Sequence, residues 1–227
     1  MLRLRPRLKK AAEMTVHGVP VIDVGTDHAY LPAYLVINGS VPWASAGDIG
    51  EKPLRNAAQT LARYGIEDKV RLFVSDGLKG IDIPSETSIT ICGMGGTLIS
   101  RILGDAKDKI SRNGIRLILQ PMTHSEDVRE WLCGNGFGII EEACVRDSGR
   151  VYCCIAAEYR GKGDEYSHGF FRFGLIDGKT EEERSYINAQ IKNVKTRYKA
   201  ISAAGVCSEE IPILKSIISY YESRYVK

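Results

Sequence analysis

Seven short strand-like runs punctuate this chain, at 19–24, 43–48, 70–74, 88–92, 115–120, 137–143 and 151–158. Between the first six lie segments with helical spacing at about 30–38, 52–64, 96–110 and 125–134, while 75–87 reads as a loop. Alternation of this kind predicts a parallel sheet covered on both faces by helices. The last two runs are joined by D-S-G-R at 147–150, a turn too short for a helix, so they pair as an antiparallel hairpin. The expected fold class is α/β and Rossmann-like: seven strands, mostly parallel, with one antiparallel.

After G-K-G-D at 161–164 the pattern turns helical. Thr180 and Glu183 have capping-box spacing, and Ile187, Ile191, Val194, Tyr198 and Ile201 then recur in steps of four and three. Gly205 can stop this helix and Ser208 can start the next, where Ile211, Leu214, Ile218, Tyr221 and Tyr225 repeat the spacing. Two such stripes predict a coiled-coil-like helical hairpin over 161–227, appended to a sheet domain over 1–160. Seams one residue wide favour a hairpin packed on itself over helices laid on the sheet.

At 227 residues and 44% hydrophobic content the chain has ample material for a core. No apolar run approaches the ~18 residues of a membrane span. The basic N-terminus is not followed by a signal-peptide core, so a cytoplasmic protein with no membrane association is expected. Cys92, Cys133, Cys144, Cys153, Cys154 and Cys207 form no Cys-x-x-Cys pair and have no His at ligand spacing, so no metal is expected. The net charge of +3 matters less than its placement. Arg3, Arg5, Arg7, Lys9 and Lys10 crowd one end, and Lys192, Lys195, Arg197 and Lys199 crowd a later helix. Together they suit a polyanion; singly, either fits a solvated helix face.

The densest chemistry lies at V-P-V-I-D-V-G-T-D-H-A-Y-L-P, 19–32. A buried strand ends in Asp23 and Gly25, and a helix starts within a few residues. Such a turn can hold a ligand carboxylate or phosphate at the helix N-terminus, or be an ordinary βα connection. The other strand ends favour the ligand. They read Asp48-Ile49-Gly50, Ser75-Asp76-Gly77, Cys92-Gly93-Met94-Gly95-Gly96 and Gln120-Pro121-Met122, so three of the first four strands end in an acid. Asp48, 25 positions after Asp23, suits ribose hydroxyls, and Asp76 could accept an adenine amine. G-T-D-H-A lacks the later glycines of G-x-G-x-x-G, which disfavours a pyrophosphate and hence NAD. Ribose, adenine and an amino-acid carboxylate without phosphate describe S-adenosylmethionine.

D-V-G-T-D-H-A-Y-L-P at 23–32, I-C-G-M-G-G at 91–96, L-I-L-Q-P at 117–121 and R-E-W-L at 129–132 carry a more specific likeness, joined by the early Arg7-Leu8 and the helical hairpin. The chain resembles the class I methyltransferases and, within them, the bacterial tRNA (adenine-22-N1)-methyltransferase family. The resemblance implies a cofactor loop of Asp23, Gly25, Asp27 and His28. It puts Asp48 on the ribose, Asp76 and Gly77 on the adenine, and Gly93 and Met94 at the methyl-transfer face. The family commonly has Asn where this chain has Met122, and often an acid near Cys153.

Adenine N1 has an in-plane lone pair and no proton, so methylation there needs positioning rather than a general base. The target base must be unpaired or flipped. Tyr30 is the candidate for stacking on it, Gln120 for a hydrogen bond to it and Pro121 for shaping the pocket, with His124 at a turn or a phosphate. Arg5, Arg7, Lys192, Lys195 and Lys199 are candidate contacts to tRNA phosphates. A methyltransferase for a small molecule or protein, a silent RNA-binding protein and an NAD-dependent oxidoreductase are the rivals. The expected partner is tRNA, met by a monomer.

Overall fold

The computed structural model describes residues 2–163, 165–204 and 208–226. Its strands are β1 (Val21–Val24), β2 (Ala44–Asp48), β3 (Val70–Val74), β4 (Thr87–Gly95), β5 (Ile115–Thr123), β6 (Phe137–Asp147) and β7 (Arg150–Tyr159). They form one sheet in the order β3-β2-β1-β4-β5-β7-β6. Among the described residues β7 alone runs against the others, between β5 and β6. The hairpin joining β6 to β7 has Ser148 at φ 50° and Gly149 at φ 79°, two left-handed residues whose twist suits a two-residue turn.

Alternate strand residues feed opposite faces. Ile22, Val24, Ile89, Ile91, Leu117 and Leu119 pack beneath α4 (Gly96–Asp105) and α6 (Ser125–Gly134). Val21, Ala44 and Ala46 pack beneath α2 (Tyr30–Ile37) and α3 (Glu51–Tyr64). The helix expected over 96–110 breaks at Ala106, leaving the short α5 (Lys107–Ile110). An N-terminal helix, α1 (Pro6–Glu13), was hidden by its basic residues. Pro6 opens it, where a missing N–H costs nothing, and Ala11 and Met14 close over Ile118, Cys154 and Ala156.

Three further helices follow: α7 (His168–Phe173), α8 (Glu181–Ala203) and α9 (Glu210–Tyr225). The capping box at Thr180 and Glu183 forms, and Ser208 Oγ accepts from the Glu210 amide at 3.2 Å. Gly205, the expected helix stop, lies outside the described residues, as do Cys207 and Asp164. The hairpin does not pack only on itself, which corrects the sequence-based reading. Tyr186, Ile187, Ile191 and Val194 of α8, with Leu214 and Ile217 of α9, share one buried cluster with the sheet. Tyr186 widens the apolar stripe at its start, and that wider half lies on the sheet.

A buried ion pair fastens this junction. Arg129 of α6 meets Glu142 of β6 at 2.7 Å, both side chains shut from solvent. The same guanidinium donates to the Phe171 and Arg172 carbonyls at 2.9 and 3.2 Å and to Tyr186 Oη at 3.2 Å. Glu142 also accepts from the Leu175 amide at 2.6 Å.

Candidate active site

β1 pairs with β2 on one side and β4 on the other, so the chain's crossovers leave in opposite directions and open a crevice at the strand ends. Gly25 lines it at φ 76°, where a Cβ would lie 1.9 Å from Met94 Cε. The Gly25 and Thr26 amides donate to the Gly47 carbonyl at 2.8 and 2.9 Å and fold the turn over β2. Ala29, at φ 52°, then launches α2, whose N-terminus no described side chain caps. Its first N–H groups are open to an anionic ligand.

Asp23 sits at the floor, accepting from Thr90 Oγ1 at 2.6 Å. Burial pushes its carboxyl up to about 6, against hydrogen bonds from Thr90 and Thr26 that pull it down. Asp48 closes its own turn, Oδ1 accepting from the Gly50 amide at 2.8 Å. Ile49 beside it is 72% exposed, an apolar surface at the crevice that the sequence signal, confined to the acids, did not single out. Asp76 meets Lys79 at 2.7 Å and Arg101 at 3.8 Å, and the Lys79 hydrogen bond above all holds its carboxyl below the usual range. Gly77, at φ 67°, lets the chain pass close to Ile102.

The C-terminal end of β4 is irregular. Its pairing with β5 shifts register around Met94, and Gly93 takes φ 82°. A Cβ on Gly96 would lie 1.9 Å from the His124 carbonyl oxygen, so the last glycine of G-M-G-G is demanded by the contact between the ends of β4 and β5. His124 itself, at φ 52°, turns the chain into α6 without capping it.

A cavity of about 680 Å³ lies between N-terminal residues 3–8 and the turn at 23–31, floored by Cys92 and Gly93. Asp27 and His28 meet at 3.5 Å on its wall, and the His28 ring stacks on Tyr30 at 5.1 Å with 7° between planes. Tyr30 is 42% exposed, so a ring remains at the cavity mouth. Burial, aided by the charge of Asp23, pushes the Cys92 thiol well up, so it supplies no thiolate.

Two expected roles change. Gln120 is fully buried, its Oε1 accepting from Arg7 Nη1 at 2.9 Å and its Nε2 donating to the Pro121 carbonyl at 3.0 Å. It supports the cavity from beneath and does not reach into it. Arg7, expected on phosphate, turns inward to Gln120 and to Asp147 at 3.4 Å. Arg5 is exposed, as are Lys192 and Lys199, two turns apart on the same face of α8. Lys195 lies 5.3 Å from the Tyr221 ring centroid and 4.0 Å from Glu222. Among the described residues no group of three His, Cys, Asp or Glu could hold a metal, and no helix is long and apolar enough to cross a membrane.

A glycine turn after β1, an acid after β2 and a β5-β7-β6 edge with β7 reversed define a class I methyltransferase, and the family model described as a methyltransferase domain matches residues 4–155. More closely, the chain belongs to the tRNA (adenine(22)-N(1))-methyltransferase family: it is 31% identical to the Bacillus subtilis enzyme of that name over 97% of this chain and 95% of that one. The crystal structure of the B. subtilis M1A22 tRNA methyltransferase TrmK superposes with a TM-score of 0.81 at 31% identity, covering 99% of this chain and 97% of that one. M. capricolum TrmK, solved with S-adenosyl-homocysteine, superposes with a TM-score of 0.78 at 25% identity, covering 97% and 99%.

Proposed function

We propose that this protein transfers the methyl group of S-adenosylmethionine to N1 of adenine-22 in tRNA. The observation that carries the reading is the likeness to TrmK along the whole chain, C-terminal helices included, and not over the methyltransferase sheet alone.

The donor set suits that cofactor. The open N-terminus of α2 suits its carboxylate, and the close approach allowed by Gly25 suits its methionine arm. The second carboxylate oxygen of Asp48, which the Gly50 amide does not engage, suits the ribose hydroxyls, with Ile49, Asp76 and Gly77 along the adenine. Asp27 and His28 close the loop, and Gly93 and Met94 edge the transfer face. When bound, S-adenosylmethionine supplies a methyl group on a sulfonium. Adenine N1 brings its own lone pair: the N1–carbon bond forms as the carbon–sulfur bond breaks, and the positive charge passes from sulfur to the base. No proton leaves N1, so the protein's work is to hold two reactants in line. Tyr30 offers a stacking face to the unpaired base, and Pro121, buried behind the cavity, is assigned to shaping it from β5.

Arg5, Lys192, Lys195 and Lys199 are assigned to tRNA phosphates. Residues 1–160 then act as the methyl-transfer unit and 161–227 as the tRNA-holding unit of a cytoplasmic enzyme. Unmodified tRNA incubated with the protein and methyl-labelled cofactor should yield labelled 1-methyladenosine by nucleoside mass spectrometry, and a transcript with guanine at position 22 should yield none. Label in any other nucleoside, or equal label in both transcripts, overturns the assignment.

A further inference from the structure

Arg7 stands where neither the basic N-terminal cluster nor the cofactor loop accounts for it. It projects from the first turn of α1 with one edge against Gly93, where a Cβ would lie 3.0 Å from Nη1. Nη1 donates to Gln120 Oε1 at 2.9 Å, and Nε faces Asp147 Oδ2 at 3.4 Å. Asp147 ends β6, is itself buried, and accepts at its other oxygen from Ser148 Oγ at 3.0 Å. The guanidinium thus touches the ends of β4, β5 and β6 together.

Arginine carries only donors, so it admits only the oxygen end of the Gln120 amide. The nitrogen end is then directed to the Pro121 carbonyl, at 3.0 Å. Without Arg7 the amide has no reason to keep that sense, and the oxygen is left buried and unpaired. Gly93, at its left-handed turn, would also lose the group it rests against.

We propose that Arg7 is a positioning residue for methyl transfer, acting through Gln120 and Gly93 to fix the cavity floor, with Asp147 as its anchor. The inference rests on the methyl-transfer reading above. A displacement of the floor by a fraction of an ångström misaligns base and methyl donor without removing a contact to either.

The test compares Arg7→Ala, Gln120→Ala and the double variant with the wild-type protein in tRNA methylation. Arg7→Ala should lower kcat by about ten- to a hundred-fold, the order expected from misplacement near the reacting atoms. The KM for tRNA and the affinity for S-adenosylhomocysteine should stay within about threefold. The double variant should be no worse than the poorer single one, because the two act as a unit. Arg7→Lys, which keeps a donor, should recover part of kcat. An unchanged kcat, or single losses that multiply, overturns the proposal. So does a raised KM for tRNA with a salt slope flattened by about one unit and kcat intact, since that is the behaviour of a phosphate contact. A wild-type protein inactive on tRNA would count against the proposed function instead. In that event ¹⁵N spectra of the Gln120 side-chain amide still decide: it should shift and exchange faster in Arg7→Ala, and an unmoved resonance overturns the positioning role.

Discussion

A carboxylate at the floor of the cavity is held at the expense of the fold. Burial lifts the Asp23 carboxyl to about 6, so between roughly pH 4 and 6 the folded state binds a proton that the unfolded state has released. Stability therefore falls as pH rises through that window and levels off above it. Asp23→Asn removes the penalty while its amide oxygen can still accept from Thr90. Denaturant melts should show the variant more stable by up to about 3 kcal/mol at pH 7 and above, the gain vanishing below pH 4. An advantage that does not grow between pH 4 and 7 refutes burial as the governing cause. The same variant should bind S-adenosylhomocysteine about tenfold less tightly, through loss of a charged neighbour to the amino-acid end of the ligand.

At the scale of elements, the sheet edge and the C-terminal helices are joined by polar chemistry as much as by packing. Arg129→Met leaves Glu142 buried without its cation and frees the Phe171 and Arg172 carbonyls. A loss of about 3–5 kcal/mol in unfolding free energy is expected, with much of it restored when Glu142 is also made apolar. If the single substitution is neutral by denaturant titration, the junction is held by the apolar cluster alone. This junction also marks the limit of what the sequence makes legible. The strands stand out because each is a short apolar run closed by a turn residue, and the strand-end acids and glycines are local to their βα units. A three–four stripe, by contrast, announces that a helix buries one face and is silent about what covers it, so α8 could not be told from a free-standing hairpin. Arg7 and Gln120 are 113 residues apart, and nothing in either neighbourhood names the other. In α1 the basic residues drew the eye to phosphate and away from Pro6, Ala11 and Met14, which make it a packed helix.

For the molecule as a whole, continuity of the core separates the question of folding from that of function. A fragment ending near 162 would uncover Arg129, Glu142 and the face opposite Tyr186, so its loss of tRNA binding would say nothing about contact. Charge removal on α8 does. Lys192→Ala with Lys199→Ala should flatten the dependence of log affinity for tRNA on log salt by about two units, one per phosphate contact. The affinity for S-adenosylhomocysteine should be unchanged. An unaltered slope would place the tRNA elsewhere on the surface.

The packing of α1 against β5, β6 and β7 has a consequence for the order in which the fold can close. α1 precedes every strand in the chain, yet Ala11 and Met14 complete their seat only once Cys154 and Ala156 of β7 are in place. Leu2, Leu4 and Ala12 lean on the earlier cluster of Val21, Ala29 and Leu31, but the Ala11 face of the helix stays open until β7 arrives. β1 to β4 frame one side of the crevice early, whereas the wall bearing residues 3–8 is fully backed only when β7 is in the sheet. The face of α1 that meets β7 is therefore completed only after all seven strands are present.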